Sequence, residues 1–149
     1  SANTILAENV IKMWSRCWGA SRKNAVWLIN QDAEEQLMEM SLNDISVYQP
    51  ATGPTVEGYP SLFGRPVIPS EYCQTLGTKG DIILFDPSQY IMMDSGIDSE
   101  LSLQVRFEEG EGAFRYVMRV DGQPTWNKAQ TPKNGTTTVS PYITLATRA

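Results

Sequence analysis

The sequence predicts an α+β fold on three observations: a helix, strand, helix opening, a short apolar strand in mid-chain, and a last third that alternates apolar and polar residues at strand period. The first two describe a layer of helices on a sheet. The third describes a β ribbon with a face that its own two strands cannot bury.

From Ile5 to Gly19 the residues Leu6, Val10, Met13, Trp14, Cys17 and Trp18 recur at steps of three and four, the stripe of an amphipathic helix. Asn3 or Thr4 is its expected N-cap and Gly19 its stop. The run Ala25-Val26-Trp27-Leu28-Ile29 is short, wholly apolar and rich in β-branched or aromatic residues, so it predicts a strand buried on both faces. Asn30 is expected to cap a second helix. Its first turn carries Asp32, Glu34 and Glu35, where the positive end of the aligned peptide dipoles favours anions, and its apolar side is Leu37, Met38 and Met40.

Between Leu42 and Gly80 the punctuation by Pro50, Gly53, Pro54, Gly58, Pro60, Gly64, Pro66, Pro69 and Gly77 leaves room only for short strands such as Pro66 to Ile68. A long surface excursion of this kind is expected to bind something or pack against a neighbour. Asp81 to Asp86 then encloses a buried strand, and Tyr90 to Met93 predicts another after the Pro87-Ser88 turn.

In the last third Leu101, Leu103, Val105 and Phe107 alternate with Ser102, Gln104 and Arg106. After a turn from Glu108 to Gly112, Phe114, Tyr116, Met118 and Val120 alternate with Arg115, Val117 and Arg119. This is a two-stranded ribbon with one apolar and one cationic face, and such a ribbon alone is marginally stable, so the apolar face requires a cover. Asp121-Gly122 and Lys133-Asn134-Gly135 are expected tight turns, and Val139 to Thr147 a closing strand.

The 149 residues, 41% hydrophobic and 19% charged, suffice for one compact domain or one domain plus an arm. The net charge of −5 has the wrong sign for a dedicated nucleic-acid binder. With no histidine, imidazole acid–base chemistry, Ser-His-Asp and Cys-His nucleophiles, and His-ligated metals are all excluded. Two cysteines are too few for a thiolate zinc site or a disulfide scaffold, and a reducing compartment is the default. No apolar run approaches the roughly 20 residues that span a bilayer, and the first residues resemble no export signal, so a soluble chain is expected. The absence of an initiator Met and the Ser1-Ala2 start suggest a piece of a longer chain.

The acids Asp81, Asp86, Asp94, Asp98 and Glu100 invite a metal or two-carboxylate hypothesis, but their spacing is not that of a calcium loop, and solvated acids beside turns are expected instead. Glu108, Glu109 and Glu111 around the hairpin glycines would repel phosphate. Cys17 and Cys73, with no histidine to activate them, read as small core residues. Trp14, Trp18 and Trp27 read as core or interface. No catalytic, cofactor or metal residue is assigned.

Three stretches in order carry a family resemblance: Asn24-Ala25-Val26-Trp27-Leu28-Ile29-Asn30, then Leu62-Phe63-Gly64-Arg65-Pro66-Val67-Ile68, then Gly80-Asp81-Ile82-Ile83-Leu84-Phe85-Asp86 with Tyr90-Ile91 after it. From about Asn3 to Tyr142 the chain resembles the C-terminal half of a tailed-bacteriophage major capsid protein of the Hong Kong 97 type. The resemblance implies a capsid fold with a central mixed sheet flanked by helices in an axial domain, approximately residues 1–100, joined to β-strands of a peripheral domain, approximately 101–149. That family's N-terminal arm, extended loop and spine helix find no counterpart in these residues.

The implied function is that of a structural shell subunit, self-assembling into hexamers and pentamers in a bacterial host cytoplasm to form the virion capsid of a phage or prophage. A scaffold or maturation protease is an implied partner, packaged DNA only a non-specific one, and no membrane or cofactor is implied. Subunit contacts are expected at Tyr48, Pro50, Tyr59 and Phe63 of the excursion, and charge pairing with a neighbour's acids at Arg106, Arg115 and Arg119. An encapsulin-type nanocompartment shell shares the implied fold. Two readings of other classes stay open: a carbohydrate- or peptide-binding β module using the tryptophans, and a carboxylate metal hydrolase using the acids between Asp81 and Glu100.

Overall fold

The computed structural model describes residues 4–42, 45–46, 48–49 and 60–148. It divides into two compact units, Ser1–Gln89 with Trp126–Ala149, and Tyr90–Thr125. Residue 100, where the resemblance puts the change from axial to peripheral region, lies inside a strand of the second unit, and the chain after that unit returns to the first.

In the first unit, helix α1 (Ala7–Arg16) buries Val10 and Met13. It begins after Leu6, with no side-chain cap, and the expected Thr4 cap is not used; Asn3 lies outside the described residues. Leu6, expected on the buried stripe, is about half exposed at 48%. The helix stops short of Gly19 because the chain turns extended at Cys17 and bridges Ser140: the Ser140 N–H donates to the Arg16 carbonyl at 3.1 Å, and the Trp18 N–H to the Ser140 carbonyl at 3.2 Å. The Asn30 side chain accepts from the Asp32 N–H at 3.0 Å and starts a single 3-10 turn that runs into α2 (Glu34–Met38). There Leu37 and, just beyond, Met40 are buried, but Met38 faces out, at 54% exposure.

The strands are β1 (Val26–Ile29), β2 (Ser41–Leu42), β3 (Ile45–Ser46), β4 (Tyr48–Gln49), β5 (Ser61–Leu62), β6 (Arg65–Pro69), β7 (Ile82–Phe85), β8 (Tyr90–Arg106), β9 (Glu111–Pro124) and β10 (Tyr142–Thr144). Six of them form one mixed sheet in the order β10-β7-β1-β6-β5-β4, in which only β1 and β6 run parallel. The Gly/Pro-rich stretch expected to be a surface excursion thus supplies three strands of the sheet, one of them beside its centre.

Register explains the core. Val67 and Leu84 flank Trp27 on either side, and Ile82 flanks Ile29, so all five side chains leave one face of the sheet and all five are fully buried. They join Val10, Met13, Ala33 and Leu37 of the helical layer in one cluster. β1 is not buried on both faces: Val26 and Leu28, pointing the other way, are only half-buried. The Trp27 indole N–H donates to the Leu62 carbonyl at 3.1 Å, the partner a buried indole needs. Trp14 stacks between Trp27 at 6.4 Å and Phe63 at 5.7 Å, with the Arg22 guanidinium 5.5 Å from its ring centre.

Asp81 and Asp86, at the two ends of β7, are buried, which corrects the expectation of solvated acids. Asp81 accepts from the N–H groups of Gly77 at 3.0 Å and Ile82 at 2.9 Å, and its carboxylate meets the Arg148 guanidinium. Arg148 is further tied by its N–H to the Gly77 carbonyl at 2.9 Å, so the C-terminal segment is fastened to the turn that enters β7. Asp86 accepts from the Ser88 N–H at 2.9 Å and the Ser88 hydroxyl at 2.7 Å and opens a 3-10 turn. Both acids do the work of backbone caps.

Candidate functional site

The second unit is the two-stranded antiparallel ribbon of β8, 17 residues, and β9, 14 residues. The two strands expected at Tyr90 to Met93 and Leu101 to Phe107 are one strand, interrupted by a bulge between Asp94 and Ile97. Gly96 supplies a φ of 73°, the Asp94 carboxylate accepts its N–H at 2.8 Å, and the Ser95 hydroxyl accepts the Arg119 N–H at 3.1 Å. These local bonds replace the ladder bonds that a bulge breaks. The expected Asp121-Gly122 turn is likewise absent: both residues pair inside the ribbon, with Met93 and Met92. Glycine serves there because a Cβ at position 122 would fall 2.5 Å from the Tyr90 ring.

Leu101 lies opposite Phe114, Ser99 opposite Tyr116 and Ile97 opposite Met118, so these residues share one face, to which Leu103 also belongs through its approach to Gly112. That face is uncovered: Leu103 is 65% exposed, Phe114 68% and Tyr116 69%. Removing such side chains from water is worth about 1.5–3 kcal/mol each. The opposite face is not simply cationic. Glu100 lies opposite Arg115 and Asp98 opposite Val117, and at the tip Arg106 holds Glu109 at 3.1 Å and Glu111 at 3.2 Å. These ribbon charges are exposed, and of the arginines Arg106, Arg115 and Arg119 only Arg106 enters an ion pair among the described residues.

Of the other expected contact residues, Phe63 takes a φ of 51° and turns its ring onto Trp14. Tyr48 lies in β4, at the edge of the sheet away from β10. Pro50 and Tyr59 fall outside the described residues. Cys17 and Cys73 are buried, and burial pushes both thiols up, so neither is a reactive thiolate. Among the described residues no three Cys, Asp or Glu side chains gather where they could hold a metal ion, and no helix is long and apolar enough to cross a membrane. The residues that sequence reasoning missed are those brought together only by folding. Arg148 on Asp81 is the clearest, since nothing near either residue in the chain points to the other.

Among curated proteins none matches this chain. The structure is similar to a solved capsid chain, from the capsid of an empty GTA particle computed with C5 symmetry, with a TM-score of 0.58 and 16% sequence identity. The match covers 80% of this chain and 40% of that one, so the chain spans less than half the length of that relative. The expected capsid fold, with its mixed sheet flanked by helices, is thereby borne out. The model of the phage capsid family matches residues 1–132, the greater part of the sequence. With sheet, ribbon and family match in agreement, the chain belongs to the phage capsid family.

Proposed function

We propose that this chain is a structural subunit, or a large part of one, of a phage-type capsid shell that self-assembles into hexamers and pentamers. The observation that carries the reading is the apolar face of the β8–β9 ribbon, which a monomer in water leaves open and a shell would cover. The first unit corresponds to the axial domain and the ribbon to the peripheral one. Tyr48, Pro50, Tyr59 and Phe63 are proposed ring contacts. Arg106, Arg115 and Arg119 are proposed to pair with a neighbour's acids on assembly.

Such a subunit needs repeated self-complementary surfaces and no catalytic group. The same reading places it in the virion, assembled in a bacterial host with a scaffold or maturation protease as partner and with DNA enclosed without sequence readout. An encapsulin-type shell is the second reading, favoured only by the shared fold.

The test is to express the parent reading frame and examine it by negative-stain electron microscopy. Closed uniform shells or flat hexagonal rings are expected, and particle size with any enclosed protein cargo separates capsid from encapsulin. Small monodisperse particles that persist when neighbouring genes are co-expressed would overturn the proposal.

A further inference from the structure

The ribbon of the second unit has two strands and therefore two outer edges. On β9 the Gly122 N–H goes to the Asp121 carboxylate at 2.8 Å, Pro124 has no N–H, and the Arg119 N–H crosses to the Ser95 hydroxyl of β8 at 3.1 Å. Bonded and non-bonded pairs alternate in an antiparallel ladder, so Arg119, Val117 and Arg115 turn their backbone groups to β8, while Val120, Met118, Tyr116 and Phe114 turn theirs outward. On β8 the residues opposite Met118, Tyr116 and Phe114 are Ile97, Ser99 and Leu101, and these turn outward on the other edge. Along both edges the outward N–H and carbonyl groups have no backbone partner among the described residues.

The two edges carry opposite charge. On the face away from Leu101 and Phe114, β8 presents Asp98 and Glu100, and β9 presents Arg115 and Arg119. All four are exposed, and none enters an ion pair among the described residues. Two β9 edges brought together would set arginines against arginines, and two β8 edges would set acids against acids. Only β8 of one copy laid along β9 of another places opposite charges across the new ladder.

We propose that the outer edge of β9 is a strand-addition site for β8 of a second copy of this chain. The proposal rests on the shell reading and names the acids that a neighbour brings to Arg115 and Arg119. With Asp98 of the second copy opposite Arg119, its Ser99 faces Met118 and its Leu101 faces Tyr116, pairs in which both residues turn their backbone groups into the new ladder. Its Glu100 then lies opposite Val117, diagonal to both arginines, so apolar side chains stay on one face and charges on the other. The contact is head-to-tail, which leaves each copy one acidic and one cationic edge to offer and closes into a ring when the rotation between copies allows.

The experiment uses the 149-residue chain, followed by sedimentation velocity at rising concentration and low salt. Concentration-dependent association is expected. Arg119→Glu alone and Asp98→Lys alone are each expected to weaken it about fivefold with an unchanged circular dichroism spectrum. An equimolar mixture of the two variants is expected to regain it, because each variant then meets an edge of opposite charge; charge matching inside a single ribbon gives no such recovery. Tyr116→Pro removes one outward N–H, which an edge strand tolerates, and is expected to weaken association about tenfold. A chain that stays monomeric, reversals without effect, a mixture no stronger than its components, or insensitivity to Tyr116→Pro in a folded protein would each overturn the proposal. Should Tyr116→Pro unfold the chain, the mixture still decides. Shells formed by the parent protein without this association would sink strand addition alone and give the edge to another segment, whereas association without shells would sink the shell reading alone.

Discussion

The two units are built from the same β chemistry and solve the burial problem in opposite ways. In the first, β1 and β7 sit inside a sheet, and Trp27, Ile29, Ile82 and Leu84 are fully buried against helical residues. Even its carboxylates, Asp81 and Asp86, are drawn in and satisfied by backbone N–H groups, a hydroxyl and a guanidinium. In the second, β8 and β9 pair along nearly their whole length yet leave Leu103, Phe114 and Tyr116 mostly in water. Apolar content alone therefore says little about where a core lies. What matters is whether a second layer reaches the face, and in the ribbon that layer must come from elsewhere.

If this contrast is correct, removing a core anchor is the most costly change. Trp27→Ala would lose the stack on Trp14 and the bond to Leu62 and leave a cavity, at about 3–5 kcal/mol, measurable by urea unfolding. A loss under about 1 kcal/mol would mean the first unit is far less tightly packed than its burial implies. Second, Asp81→Ala would strand the Gly77 and Ile82 N–H groups and the Arg148 guanidinium, at about 1–3 kcal/mol, and would loosen the C-terminal segment, seen as faster hydrogen exchange near Arg148.

Third, the fold should lose stability in acid through Asp86. Burial opposes its charge, but the Ser88 hydroxyl and N–H and the positive charge of Arg65 outweigh that and hold the carboxyl below its usual range. The buried Ser21 hydroxyl, although outside strict hydrogen-bond geometry, pulls in the same direction, second to the Ser88 hydroxyl and ahead of the Ser88 N–H and Arg65. A carboxyl depressed on folding contributes stability that is fully present above its unfolded value, about pH 4, and is lost as pH falls through the lower folded value. Thermal melts between neutral pH and pH 3 would show the decline, and Asp86→Asn should flatten it.

Last, replacing Leu103 and Phe114 by serine should change the stability of the isolated chain by no more than about 0.5 kcal/mol, because both are already exposed. The same pair of changes should abolish shell formation by the parent protein in electron micrographs. Intact shells would show that the apolar face is not an assembly surface.

Much of this was legible along the chain. The step of three and four placed α1, the apolar run placed β1, Asn30 announced its cap, and strict alternation placed the ribbon and its uncovered face. Legibility failed where a residue's partner lies far away in sequence. Pro66 to Ile68 read as a short strand within a surface excursion, but β6 runs parallel to β1 in the middle of the sheet, a pairing that no local pattern reports. Asp121-Gly122 read as a turn because that dipeptide favours one, whereas the Tyr90 ring across the ribbon decides its role. Asp81 and Asp86 read as solvated because acids usually are, and only the fold brings buried donors to them.

The sequence by itself determined where α1, β1 and the ribbon strands lie, that these residues hold no imidazole, and that a long apolar ribbon face would stand open. Those follow from side-chain period and composition, which are local properties of the chain. The tertiary structure alone decided the strand order of the mixed sheet, the burial of the two aspartates and the return of residues 126–149 to the first unit. Each of these depends on groups far apart in sequence meeting in space, and contact energies of that kind are set only when the whole chain has folded.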